Sequence, residues 1–211
     1  MKNKKAIKSP KLHRQSDSYH KKPSDNLFVF HKKIQFRKPR EDDGSNIWEL
    51  VKSTGVLDLN SAYSYIMLCK YFSGTCVVAE CENKIVGFLS AFQPPGRPDA
   101  IFVWQVAVAE SQRGKGLGSA LLKELLKRKE CAGVRYLETT VTPSNIPSQS
   151  LFRKLARDLG ARCEVEECFP SDLFPAGNHE AELMYRIGPI KNEFKRESEA
   201  ISKCERLQSR A

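Results

Sequence analysis

The sequence predicts an α+β domain with a mixed central sheet flanked by helices on both faces. Three observations predict it. Strand-like runs and amphipathic stretches interleave along the chain. Ile101–Val108, Ile-Phe-Val-Trp-Gln-Val-Ala-Val, is almost uniformly apolar, as a central strand covered on both faces should be. A glycine-rich turn at Arg113–Gly118 follows that strand and opens a helix.

The folded unit is expected to begin near Ile34–Lys38. A helix over Glu41–Ser53 presents Ile47, Trp48 and Val51 on one face, and Gly55 is placed to end it. After a short loop, Val56–Asn60, Ser61 can cap a second helix over Ala62–Phe72. Cys76–Cys81 and Ile85–Phe92 form a hairpin through a tight turn at Glu82–Lys84. Gln93–Pro98, with three prolines and a glycine, is a loop before the central strand. Leu121, Leu122, Leu125 and Leu126 form the apolar stripe of a helix over Ser119–Lys129. Val134–Val141 is a further strand, and Thr142–Pro147 leads into a helix, Ser148–Leu159, stopped by Gly160. Ala161–Val165 and Glu182–Ile187 read as a last strand pair around a Pro/Gly loop.

The chain has 211 residues, 40% hydrophobic and 28% charged, the composition of a globular protein. No apolar run approaches the roughly 20 residues that span a bilayer, and Met1–Pro10 lacks the apolar stretch of a secretory signal. The formal charge of +10 suggests a polyanionic partner, but its distribution argues otherwise. Residues 1–33 carry ten basic and two acidic side chains, residues 34–190 nineteen of each, and residues 191–211 six and four. A basic disordered arm (1–33), an electrically balanced domain (34–190) and a charged tail with a thin helical stripe (191–211) follow from this division. Neither nucleic acid nor membrane is expected as a partner. The seven cysteines form no C-x-x-C pair and have no zinc-ligand spacing, so free thiols and no metal are expected.

The glycine turn carries the chemistry. Glycines let backbone amides approach a ligand, and a helix N-terminus adds free N–H groups and partial positive charge. With Arg113 and Lys115 beside them, these make a pyrophosphate cradle. The nucleoside-triphosphate loop is excluded because no Gly-x-x-x-x-Gly-Lys-Ser/Thr pattern is present. The dinucleotide fingerprint is excluded because Ser119 stands where glycine or alanine is needed. The pattern that fits is R-x-x-G-x-G at Arg113, Gly116 and Gly118.

With the preceding apolar strand and the downstream Asn145 and Leu151-Phe152, the sequence resembles the GNAT acetyltransferases. The resemblance implies a GNAT fold, acetyl-CoA as co-substrate, and a cofactor site of Val106, Ala107, Val108, Arg113, Gly114, Lys115, Gly116, Leu117, Gly118, Ser119 and Asn145. It also implies a strand whose backbone amides, at Val106 and Val108, polarise the thioester carbonyl. Many members carry a tyrosine general acid where this chain has Phe152, which cannot donate a proton. Another hydroxyl (Tyr63, Tyr65 or Tyr136) or water must then serve.

Further segments narrow the likeness. Phe36–Pro39, Ile47–Val51, Gly55–Tyr65, Phe102–Val108, Arg135–Asn145 and His179–Glu182 resemble the L-2,4-diaminobutyrate acetyltransferases of ectoine biosynthesis, across about residues 34–190. That likeness implies acetylation of the 4-amino group, a role in osmotic adaptation, a cytoplasmic location and a homodimer. An acceptor with two ammonium groups and a carboxylate needs acidic anchors and a donor. Asp58, on a polar loop, can accept from an ammonium. Glu138, in a β-rich run where an unpaired charge is costly, is a candidate anchor or base. Trp104 offers an indole donor or flat wall. Asn60 and Tyr63 can bind the acceptor's carboxylate, and Tyr63 is also a candidate catalytic hydroxyl. His179, on a loop after Gly-Asn, is expected to be merely exposed. Two alternatives stay open: another small diamine or amino acid as acceptor, or a non-enzymatic module that binds through the basic arm.

Overall fold

A computed structural model describes residues 33–175 and 179–191. The expected arm and tail, apart from Lys33 and Lys191, lie outside the described residues, as does Cys204.

Seven strands form one sheet: β1 (Gln35–Arg37), β2 (Val77–Cys81), β3 (Lys84–Phe92), β4 (Ala100–Val108), β5 (Tyr136–Val141), β6 (Arg162–Phe169) and β7 (Glu182–Gly188). Their spatial order is β1-β2-β3-β4-β5-β7-β6. Only β4 and β5 run parallel, joined by the crossover through helix α3 (Leu117–Leu126); the other neighbours are antiparallel. β4 is the middle strand, as its apolar run requires.

Helices α1 (Gly44–Thr54) and α2 (Ala62–Tyr71) pack on one face of the sheet, where Ile47, Val51, Tyr65 and Leu68 meet Val78, Phe88 and Ala107. Helix α3 and helix α4 (Ile146–Asp158) cover the other face. There Leu121, Leu122, Leu125, Phe152 and Leu155 pack on Val77, Leu89, Ile101, Leu137, Tyr185 and Ile187. This is the α+β arrangement expected, with helices on both faces.

The elements differ from expectation mainly at their ends. β1 was not expected as a strand, because three residues are too short to show a period of two. α1 starts at Gly44 because Glu41–Asp43 form a 3-10 turn. Asp43 there takes 2.6 and 2.8 Å hydrogen bonds from Arg37 and a 2.7 Å bond from the Arg40 amide. α3 stops at Leu126, three residues early, and a 3-10 turn at Lys129–Cys131 follows. Gly55 ends α1 with φ +67°, and Ser61 caps α2 by accepting from the Ser64 amide at 3.3 Å. Glu82 and Asn83 both have positive φ, the backbone twist that a two-residue hairpin needs.

Two irregularities of β4 position the site. Ser90 pairs with Gln105 and Ala91 with Val103, so Trp104 is an extra residue bulged out of the ladder. The parallel pairing to β5 covers only Ala100–Phe102 against Tyr136–Glu138. Beyond it the two strands separate, and a gap opens at their C-terminal ends.

Candidate active site

The gap between β4 and β5 leads into two adjoining cavities. The larger, about 510 Å³, is lined mainly by apolar side chains. Val106 and Val108 come from β4, Gly118 from α3, Asn145 and Leu151 from the α4 region, with Arg113 at one end. The smaller, about 310 Å³, is polar and lined by Asp58, Trp104, Thr140, His179, Glu180 and Glu182 among others. The two share Val56, Leu57, Thr142 and Asn145, so a group held in one reaches a group held in the other.

β4 turns its backbone toward the larger cavity. The Ala109 amide donates to Val86 of β3 at 2.9 Å, so the two-residue alternation of a strand directs Val106 and Val108 away from β3, into the gap. The Arg113 Nε bond to the Val108 carbonyl, at 3.4 Å, comes from that same side. Ala107 turns its side chain into the α1/α2 core.

The glycine turn stands at the mouth of this cavity. Gly114 and Gly116 have φ of +73° and +81°, a region costly for any side chain. Gly116 is the N-cap of α3 and supplies no side chain, so the first amides of the helix stay available to an anion. Leu117 buries its side chain and contributes only backbone; Lys115 is exposed and Ser119 half-buried. A Cβ on Gly118 would stand 3.3 Å from Leu151 and narrow the cavity. The Arg113 guanidinium also donates to the Thr54 carbonyl at 3.2 Å, tying the turn to the end of α1. Asn145 caps α4 by accepting from the Ser148 amide at 3.1 Å and lines both cavities. An apolar tunnel with strand amides along it and a cationic helix start at its mouth fits a pantetheine arm and its pyrophosphate.

The profile of the acetyltransferase (GNAT) family matches residues 45–156, slightly over half of the chain. The chain belongs to the GNAT acetyltransferases. It is an acetyl-CoA-dependent N-acetyltransferase. L-2,4-diaminobutyric acid acetyltransferase of Halalkalibacterium halodurans is 58% identical over 158 residues, 74% of this chain and 82% of that protein. The Marinococcus halophilus enzyme of the same name is 56% identical, over 74% of this chain and 91% of its own length. A solved structure, the diaminobutyrate acetyltransferase EctA of Paenibacillus lautus in complex with L-2,4-diaminobutyric acid and coenzyme A, is 45% identical. It superposes with a TM-score of 0.74 over 76% of this chain and 97% of its own. These likenesses place the chain with the diaminobutyric acid acetyltransferases.

The acetyltransferase brings only some of the expected acceptor residues together. Asp58 and Trp104 line the smaller cavity, Trp104 through its bulge. Asn60 stands outside the lining and holds the loop by its backbone: its carbonyl accepts from Trp48 Nε1 at 3.1 Å. Tyr63 is 68% exposed and lines neither cavity. Glu138 is also outside. Its buried carboxylate accepts from Arg97 at 3.0 Å and lies 3.4 Å from Arg186, its cross-strand partner on β7. The antiparallel register that sets Glu138 opposite Arg186 makes it the centre of an ion-pair triad, outside both cavities.

The expected hydroxyl donors fare similarly. Tyr65 is fully buried and donates to Gln105, and Tyr136 lies against the guanidinium of Arg186. Neither lines either of these two cavities. Phe152 is a core residue. The hydroxyl-bearing residues that do line the larger cavity are Thr142, Ser144, Ser148 and Thr54, the last of which donates its hydroxyl to the Val51 carbonyl.

Glu182 and His179 were not anticipated. Glu182 opens β7 on the same sheet face as Thr140, and its Oε2 is buried with no hydrogen-bond partner among the described residues. Burial pushes its carboxyl above the usual range, and the Thr140 hydroxyl and His179 offset only part of that. The signal available in sequence was the acidic pair Glu180 and Glu182 entering a strand beside His179, but nothing there says which loop they face. Among the described residues, no group of three or more His, Cys, Asp or Glu side chains is arranged to hold a metal. No helix among them is long and apolar enough to cross a membrane. Cys69 and Cys76 are buried thiols, each pushed up to about 12 by desolvation.

Proposed function

We propose that this acetyltransferase moves the acetyl group of acetyl-CoA to the 4-amino group of L-2,4-diaminobutyrate, giving N4-acetyl-L-2,4-diaminobutyrate for ectoine biosynthesis. The observation that carries this reading is the acidic chamber of Asp58, Glu180 and Glu182 opening onto the apolar tunnel through shared walls. Among the described residues no Lys or Arg lines that chamber, so it suits an acceptor with ammonium groups. The relatives named for this reaction support the same choice.

The chemistry needs a neutral amine, a polarised carbonyl and a protonated leaving thiolate. An aliphatic ammonium has a pKa of about 10 and must lose its proton before it attacks. Glu182 is the group suited to take that proton, because its raised carboxyl is a stronger base than an exposed one. Asp58 anchors the acceptor's non-reacting ammonium, and Trp104 forms a wall with an indole N–H for the carboxylate. The Val106 and Val108 amides stabilise charge that develops on the thioester oxygen. Arg113, Gly114, Lys115, Gly116, Leu117, Gly118 and Ser119 form the pyrophosphate cradle, and Asn145 orders the junction. With Phe152 in the core, Thr142, Ser144, Ser148 or water protonates the leaving thiolate.

Dependence on acetyl-CoA supports a cytoplasmic location. A homodimer is part of the same reading, supported by exposed apolar side chains such as Tyr71, Phe169 and Leu173; sedimentation of a monomer would overturn it. The activity is tested by mixing the protein with acetyl-CoA and L-2,4-diaminobutyrate, lysine or putrescine, following free CoA, and locating the acetyl group by NMR. A kcat/KM for diaminobutyrate no greater than for the other two amines would sink the assignment.

A further inference from the structure

His179 is held more firmly than a loop histidine usually is. Its ring stacks on Phe174, with centroids 4.0 Å apart and planes inclined by 17°. Its Nδ1 lies 2.7 Å from the Glu180 carbonyl. A carbonyl has no proton to give, so Nδ1 must carry one and donate it. Nε2 then faces two carboxylates, Asp58 Oδ2 at 3.5 Å and Glu182 Oε1 at 3.8 Å. A bare lone pair in that position would oppose both; an N–H attracts both. The geometry therefore calls for an imidazolium.

The surroundings agree. The α1–α2 loop supplies Asp58, β7 supplies Glu182, and β5 supplies only the neutral Thr140. Glu180 turns its carboxylate to the Ser144 hydroxyl and amide, so it is engaged on the other wall. The Glu180 carbonyl raises the imidazole above its usual range, burial opposes this, and Asp58 and Glu182 add to the rise. Two carboxylates suited to ammonium groups are thus bridged, in the free enzyme, by a cation of the protein's own.

We infer that His179 is a specificity-determining residue: protonated, it neutralises Asp58 and Glu182 in the free enzyme, and it surrenders its proton to solvent when the acceptor's ammonium groups take over that neutralisation. The exchange rests on the reading that the acceptor is a diamine. An acceptor with one ammonium restores only half of the lost neutralisation, so the exchange favours diamines over monoamines. It also makes acceptor binding compete with a proton. The deprotonated ring, still fixed by Phe174 and Glu180, leaves a lone pair facing the bound ammonium.

Two measurements test this. Calorimetric titration of L-2,4-diaminobutyrate into the enzyme–CoA complex, in buffers of different ionisation enthalpy near pH 7, counts the protons released. Wild type should release close to one proton more than His179→Gln. In steady state, the acceptor KM of wild type should rise as pH falls below the His179 pKa, approaching about tenfold per unit for a one-for-one exchange. His179→Gln should lose that rise over the same range, and His179→Lys, a fixed cation, should keep a high KM at every pH. Equal proton release by wild type and His179→Gln, or an unchanged KM slope in the variant, overturns the inference. Coenzyme A binding and thermal melts report whether each variant is folded, and His179→Asn, which can still donate to the Glu180 carbonyl, serves if the Gln variant is not. A wild-type protein that ignores diaminobutyrate but acetylates another amine would count against the proposed acceptor; the same titration with that amine then tests His179.

Discussion

The buried hydroxyl of Tyr65 donates to Gln105 Oε1 at 3.2 Å, and Gln105 Nε2 in turn donates to the backbone carbonyl of Asp58 at 2.7 Å. Helix α2, strand β4 and the loop carrying Asp58 are joined by this chain of two bonds, so the Asp58 backbone is held from inside the core.

Tyr65→Phe therefore leaves Gln105 Oε1 without its donor and loosens the Asp58 loop. The loss should be about 1–2 kcal/mol of stability. Thermal unfolding should show the lower Tm, and the acceptor KM should rise severalfold while the KM for acetyl-CoA stays close to wild type. Equal effects on both KM values would mean that the relay does not act through Asp58.

The cradle depends on Gly116 for its backbone conformation, since a Cβ there would meet nothing within 4 Å. At φ +81° any other residue is strained, by about 1–2 kcal/mol. Gly116→Ala should relieve that strain by moving the first amides of α3. Its signature is a raised KM for acetyl-CoA with the acceptor KM little changed, measured by varying each substrate in turn.

Glu138 should matter for stability and little for turnover. Glu138→Gln keeps the shape but removes the buried carboxylate that Arg97 and Arg186 share, leaving Arg97 only Asp99 at 3.5 Å. The expected result is a Tm lower by several degrees with kcat within about threefold of wild type. A hundredfold fall in kcat at an unchanged Tm would restore Glu138 as a catalytic group.

Glu182→Gln should do the reverse. The base form of Glu182 exists above its raised pKa, so wild-type kcat/KM falls as pH drops through that value. The variant should lose this limb and lower kcat by about 10²–10⁴-fold. Because a raised carboxyl pKa costs folding free energy once pH exceeds it, the neutral amide should also melt higher than wild type at pH 7. A pH profile of the rate, set beside a melt at pH 7, checks both signs.

Much of this was legible in the chain. The apolar run of β4, the leucine stripe of α3 and the glycines between them name the cofactor site, because a strand, a turn with positive φ and a helix start are local features with local sequence requirements. Ser61 was legible as a cap for the same reason, whereas the capping role of Asn145 was not. The division of charge likewise needs only counting.

What the sequence could not decide is which carboxylate faces the amine. Alternation along β5 places Glu138 and Thr140 on one face, yet only the register with β7 shows Arg186 opposite the first and Glu182 near the second. Asp58 and His179 stand 121 positions apart and meet because two loops close over the same end of the sheet. The sequence by itself determined the family and the cradle, whose physics is contained in a dozen neighbouring residues. The tertiary structure alone assembled the polar chamber proposed for the acceptor, because its charges are distributed over loops and strand ends whose distances exist only once the sheet has set its register.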